Sequence, residues 1–178
     1  EYIAALPMDL MKACTFDFFG SGPSEKDLVD TIHRLGLENT AEYRGCVDSR
    51  ALPDLLTNYH AGIAWVPNKL YDASPSLKIV EYTAAGLLPI AMDTTAHRRF
   101  SDRGFHVSFF SDSPDSFAST IAASWRKGFP VKNRNENLST IQEYDWLCIA
   151  ERYILPQFAK LIEPHEVEGR KHLTQPQS

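Results

Sequence analysis

Short apolar runs alternate with stretches of helical spacing along most of the chain. Five runs read as strands: Thr15–Phe19, Glu42–Cys46, Ile63–Val66, Leu88–Met92 and His106–Phe110. Between them the spacing predicts helices over Glu25–Leu35, Ala51–Tyr59, Pro75–Ala85 and a short one near Ala96–Asp102. The first of these places Leu28, Val29, Ile32 and Leu35 on one stripe, with Ser24 as its cap and Gly36 as its stop. Strands that are apolar on both faces and joined through helices predict a parallel sheet covered on both sides. The expected fold is an α/β, Rossmann-like three-layer sandwich with right-handed crossovers.

After Phe110 the pattern becomes helical. Pro114–Lys127 is amphipathic through Phe117, Ile121 and Trp125, and Gly128–Asn137 reads as a loop. Leu138–Ile162 reads as mostly helical, with Pro156 kinking or restarting it. Residues 1–162 are therefore expected to form one domain, its last helices over 138–162. Glu163–Ser178 is polar and without period, so it is expected to be a disordered tail.

The most informative stretch is Ser74–Ala91, SPSLKIVEYTAAGLLPIA. Ser74 suits an N-cap, Pro75 the first helical position and Gly86 the position after the last turn. Leu77, Val80 and Ala84 are expected to form its buried stripe, leaving Lys78, Glu81 and Ala85 on a second row. The amides of Ser76, Leu77 and Lys78 would then point at an anion, aided by the helix dipole. A second candidate loop, Gly20-Ser21-Gly22-Pro23, follows the first strand and allows close backbone approach to a ligand. It lacks the third glycine of a dinucleotide fingerprint, because Lys26 and Asp27 follow. The seven residues Pro67–Ala73 form a long connection at a strand end, where ligand loops collect.

Composition narrows the function. With 178 residues there is room for one real core, and a net charge of −5 without a basic run argues against a nucleic-acid surface. No run approaches the ~20 apolar residues that span a bilayer. The start, Glu1-Tyr2-Ile3, lacks a signal-type core and reads as a chain whose natural beginning lies upstream. Cys14, Cys46 and Cys148 are odd in number and far apart, which reads as buried free thiols in a reducing, cytoplasmic setting. His33, His60, His97, His106, His165 and His172 show no metal or triad spacing, and His97 reads as a surface residue.

FDFFGSGP at Phe16–Pro23, YRGCV at Tyr43–Val47, GIAWVP at Gly62–Pro67 and the Ser74–Ala91 segment together resemble the C-terminal, donor-binding half of GT-B glycosyltransferases. The class they resemble is the retaining group 1, or family 4, and the tail Tyr144-Asp145-Trp146 fits the ending of such domains. The resemblance implies a transferase that moves a hexose from a UDP-, GDP- or ADP-sugar, without metal or other cofactor, in polysaccharide biosynthesis. It implies that Glu81 accepts hydrogen bonds from the ribose and that Ser76 and Leu77 hold the diphosphate. Gly45-Cys46-Val47 would pass the base, and Gly20–Gly22 would flank the pocket. The family's first acid would fall at Ala73, with Asp72 one position away, and the Ser74-Pro75…Lys78…Glu81-Tyr82 form matches a variant of the class. The family's domain opens with a glycine-ended strand, absent here, and such a loss would leave a gap in the ladder. Its partner is an N-terminal acceptor-binding domain, without which the fragment is expected to be inactive. Catalytic residues are not assigned. The alternatives are a non-catalytic α/β interaction module and a GT-B sugar-nucleotide epimerase.

Overall fold

The computed structural model describes residues 1–66, 72–129 and 140–162, with side chains as far as residue 159. The chain divides into two compact units, Glu1–Gln142 and Glu143–Ser178.

In the first unit a 3₁₀ turn at Ile3–Ala5 and helix α1 (Met8–Ala13) precede β1 (Phe16–Phe19). Then follow α2 (Glu25–Arg34), β2 (Ala41–Gly45), α3 (Leu52–Leu56), β3 (Ala61–Ala64), α4 (Lys78–Ala85), β4 (Leu88–Met92), α5 (Thr95–Asp102), β5 (Ser108–Phe110) and α6 (Pro114–Arg126). All strand pairs are parallel, as the apolar runs predicted, and the architecture is mixed α/β and Rossmann-like. The strands do not form one sheet. Among the described residues β1 pairs only with β2, and β3, β4 and β5 form a separate sheet in that order. The two nevertheless share a core: Phe16 of β1 and Ala61 and Ile63 of β3 all pack on the cluster of Leu6, Leu10, Ile90, Phe110 and Phe117.

β4 is buried at every position and holds a proline, which a central strand normally excludes. The Leu88 amide donates to His60 O, so the amide position of Pro89 points toward β5. β5 pairs only from Ile90 onward, and no ladder bond is lost at Pro89. In β2 the register shifts between Phe18 and Phe19 of β1, leaving Arg44 as the extra residue.

α6 starts as its sequence demands: the Ser113 hydroxyl accepts the Ser116 amide at 3.2 Å, and Pro114 follows. Phe117, Ala118 and Ile121 are buried, but Trp125, expected on the same stripe, is 44% exposed. At α2 the Ser24 side chain makes no cap bond; Glu25 Oε1 reaches back instead and accepts the Gly22 amide at 2.7 Å.

The second unit holds α7 (Trp146–Ile149), a π-helical turn (Ala150–Ile154) and α8 (Leu155–Ile162). Asp145 caps α7 by accepting the Leu147 amide at 2.8 Å. The widened turn just before Pro156 relieves the clash that its ring would impose on a regular helix, so the helical path continues. Gly128–Asn137, expected to be a loop, lies mostly outside the described residues, as does the tail Glu163–Ser178.

Candidate functional site

In each parallel sheet the carboxyl ends of the strands share an edge, and the loops there are where an open α/β sheet takes its ligands. Gly20–Pro23 leaves β1, Gly45–Val47 leaves β2, Trp65 and Val66 leave β3, and Asp93–Thr94 leaves β4. Most of Pro67–Ala73 lies outside the described residues.

The glycine loop is tied down by its own neighbours. The Gly20 amide donates to Gly45 O at 2.9 Å and the Tyr43 hydroxyl to Gly20 O at 2.7 Å. With φ at 143°, Gly20 has a backbone that few side chains accept. The Glu25 carboxylate occupies the Gly22 amide. That negative charge disfavours a phosphate on the Gly20-Ser21-Gly22 turn itself, which leaves the loop suited to flank a ligand. On the neighbouring strand, Gly45 at φ 75° turns the chain out to an exposed Cys46 and a half-buried Val47.

The helix carrying Glu81 differs from its expected form at its start. It begins at Lys78, with Leu77 in the capping position and no side-chain cap, so Ser74 is not its N-cap and Pro75 not its first residue. The cause lies elsewhere in the fold. Asp72 Oδ1 accepts the Thr95 amide at 3.1 Å, and Asp72 O accepts the Ala96 amide at 2.9 Å, pinning this segment to the start of α5. Residues 73–76 must bridge from that pin to α4. The first bonds of the helix run from the Ile79 amide to Ser76 O and from the Glu81 amide to Leu77 O. The amides of Leu77 and Lys78 therefore lie upstream of the first helical bond, and Ser76 contributes a carbonyl rather than a first-turn amide.

The buried face is also different. Ile79 is wholly buried and Thr83 nearly so, whereas Leu77 is 66% exposed and Val80 half-buried. Of the two possible stripes, the one with the β-branched Ile79 took the core. Glu81 is exposed, as its row predicted, and so are Ala73, Ser74 and Lys78.

Asp72, a candidate for the sugar end of the site, spends its carboxylate as a cap. The hydrogen bond from Thr95 holds it below the usual carboxylate range. Asp93, just after β4, is gripped by Arg98 through two bonds of 2.6 Å, and this also lowers its pKa. The Arg98 guanidinium in turn lies 4.3 Å from the centroid of the Phe109 ring.

Two residues depart from their expected burial. His97 is wholly buried rather than a surface residue, with Nδ1 2.7 Å from Met92 O and Nε2 unpartnered. Cys46 and Cys148 are exposed and Cys14 is half-buried, so the expected buried thiols are not found; all three are free. Among the described residues no cluster of His, Cys, Asp or Glu is arranged to hold a metal ion, and no helix is long and apolar enough to cross a membrane. An open cavity of about 370 Å³ runs along β5 and α6, lined by His106, Ser116, Thr120 and Lys127 among others, and includes none of the candidate residues.

Sequence reasoning missed a polar cluster between β1 and β3. The Tyr59 hydroxyl donates to Asp17 Oδ2 at 2.6 Å, and Arg44 Nε meets Asp17 Oδ1 at 3.2 Å. Glu42 and Arg44 are two apart in β2 and so share a face with Asp17, the register partner of Glu42, but which strand pairs with which is not announced by any local pattern.

No protein-family model matches the chain, and no curated protein matches it. Solved structures do, and two of them are described. One is the pneumococcal O-GlcNAc transferase GtfA in complex with UDP and GlcNAc. It superposes with a TM-score of 0.66 at 15% identity, over 92% of this chain and 32% of that one. The other is AviGT4, a glycosyltransferase involved in avilamycin A biosynthesis, with a TM-score of 0.58 at 19% identity, over 90% of this chain and 47% of that one. The fold is thus glycosyltransferase-like and of GT-B type. The chain spans about a third of the first structure's length and under half of the second's.

Proposed function

We propose that this chain is the donor-binding part of a retaining glycosyltransferase that uses a nucleoside diphosphate sugar. The observation that carries the reading is the likeness, over nine-tenths of the chain, to portions of two glycosyltransferases, one of them a complex with UDP and GlcNAc. Glu81 fits the reading in chemistry: an exposed carboxylate in the first turn of a helix that follows a strand's carboxyl end. A carboxylate accepts two hydrogen bonds from a vicinal diol such as a ribose, each contributing ~1.5–3 kcal/mol. The amides of Leu77 and Lys78, at the positive end of the α4 dipole, suit the diphosphate, and the Lys78 ammonium adds charge. Helix amides and cations stabilise a leaving diphosphate without a metal ion. Cys46 and Val47 would lie beside the base and the Gly20–Gly22 turn beside the sugar. The acceptor and the remaining catalytic groups would come from an N-terminal acceptor-binding domain.

Calorimetry with UDP, GDP and ADP tests this. One of the three is expected to bind weakly, and Glu81→Gln is expected to weaken it about tenfold, the loss of ~1.4 kcal/mol, with an unchanged melting temperature. If no nucleotide binds or raises the melting temperature, the chain is instead a non-catalytic α/β module. Equal isotherms for both proteins would remove Glu81 from the site.

A further inference from the structure

The cavity along β5 and α6 has hydroxyls along its length and cations at one end, and we infer that it binds a small sugar phosphate. Ser124 is its most buried lining residue, at 5% exposure. Ser108, Ser116 and Thr120 are half-buried beside it, and His106 and Lys127 are exposed. Its volume of about 370 Å³ falls within the ~300–1,000 Å³ of small-molecule sites and admits a hexose-sized ligand.

Hydrogen-bonding capacity around the cavity is left over rather than spent. Among the described residues the Ser124 hydroxyl meets no partner, although the residue is buried. Such a group is costly unless a ligand or water meets it. Ser116 Oγ accepts the Ser111 amide at 2.9 Å, so its proton remains to be donated. The outer edge of β5 adds a further donor. Phe110 O accepts the Asp93 amide on the β4 side, so by alternation the peptide groups of Phe109 face outward. There the Thr120 hydroxyl donates to Phe109 O at 3.0 Å. The Phe109 amide, which also lines the cavity, has no strand partner among the described residues. With its carbonyl taken and only three residues in length, this edge is a poor template for an added strand. A small molecule beside it can still reach the amide.

Charge points the same way. The chain carries a net charge of −5, yet no Asp or Glu lines the cavity among the described residues. Its titratable lining groups are His106 and Lys127. The Lys127 ammonium only donates, and the His106 ring offers an N–H in either tautomer. His106 precedes β5 and Lys127 follows α6, so both stand at the amino edge of the sheet. A phosphate belongs at that end. Thr120 and Ser124, further along α6, face the sugar with hydroxyls that can accept as well as donate. The loops proposed for the donor leave the strands at the opposite, carboxyl edge, so this is a second site and does not rest on that reading.

Amide chemical shifts of the 178-residue chain, titrated with glucose 6-phosphate, glucose and inorganic phosphate, test the inference. Glucose 6-phosphate is expected to move the amides of Ser108, Phe109, Ser124 and Lys127 with a Kd on the order of 1 mM, with or without UDP present. Glucose and inorganic phosphate each engage one end of the site and are expected to bind at least ~10-fold more weakly. Lys127→Gln, a change at an exposed position, is expected to weaken glucose 6-phosphate about tenfold and to leave glucose unchanged. Ser124→Ala is expected to weaken both sugars while raising the melting temperature, because it removes the unmet hydroxyl. The inference is overturned if no probe moves these amides at ~10 mM, or if both variants bind as the parent does. Inorganic phosphate as tight as glucose 6-phosphate would mean an adventitious ion only and overturn it. Displacement by UDP would put the sugar phosphate in the donor site and overturn it equally.

Discussion

The ring of Tyr82 lies flat over Gly62, so close that a Cβ on Gly62 would fall 2.3 Å from two ring carbons. This contact seats α4 on β3, and the Tyr82 hydroxyl extends to within 3.4 Å of Ile63 O. Gly62 is thus small for steric reasons rather than for its backbone freedom. Gly62→Ala is expected to destabilise the fold by ~1–3 kcal/mol through overpacking, measured by urea denaturation. Pairing it with Tyr82→Leu should recover part of that loss. A Gly62→Ala protein as stable as the parent would show that the ring can step aside.

Alkaline pH should unfold this protein through two phenols. Burial, with Glu81 adding repulsion, pushes Tyr82 up to about 12. Burial and then the bond to Asp17 do the same for Tyr59, also to about 12. The ordinary value is 10.0. Between those values the unfolded chain has released both protons while the native one still holds them, so stability falls as pH rises. It is intact below pH 10. Denaturation midpoints recorded from pH 8 to 12 should decline only above 10, and Tyr59→Phe and Tyr82→Phe should each flatten the decline. A decline of the same slope in both variants would mean that other groups drive it.

Much of the fold was legible in sequence because the strands announce themselves locally. Leu88–Met92 is an unbroken apolar run between a helix stop at Gly86 and Asp93, and it is β4 residue for residue. The start of α4 was not legible. Ser74-Pro75 is a sound local signal, but it loses to a pin between Asp72 and α5 that is 23 residues away in sequence. The buried stripe of α4 failed for a related reason: two apolar rows compete there, and contact with β3 decides between them. For the candidate site, sequence located the loops and the exposure of Glu81. It could not foresee that Glu25 and Asp72, both acids near the ligand edge, are committed to backbone amides.

The Asp72 pin can be read directly. Asp72→Ala removes the acceptor for the Thr95 amide and leaves Thr94 as the side-chain cap of α5, through the His97 amide at 3.1 Å. Exchange at Thr95 should accelerate, and the loop ahead of α4 should become easier to cleave by protease, while β4 stays protected. Because its hydrogen bond lowers the carboxyl pKa, the pin is complete above the ordinary value of 3.8 and is lost as pH falls below it. The parent protein at pH 2–3 should then show the exchange pattern of Asp72→Ala at Thr95. Unchanged Thr95 exchange in the variant would assign the helix start to Thr94 alone.

His97 presents the opposite balance, a polar ring with half its capacity unused in a site without exposure. A carbonyl only accepts, so Nδ1 carries the proton that Met92 O takes, and Nε2 holds a buried lone pair with no donor. Leaving such an acceptor unmet costs ~1–3 kcal/mol. His97→Leu removes that unmet group and fills most of the volume but strands Met92 O, two effects of similar size and opposite sign. Its stability should fall within ~1–2 kcal/mol of the parent. His97→Ala opens a cavity as well and should cost ~2–4 kcal/mol. Chemical denaturation of the two variants separates the terms. If Leu proves as damaging as Ala, the bond to Met92 O outweighs packing, and the ring is kept for the β4-to-α5 turn it closes.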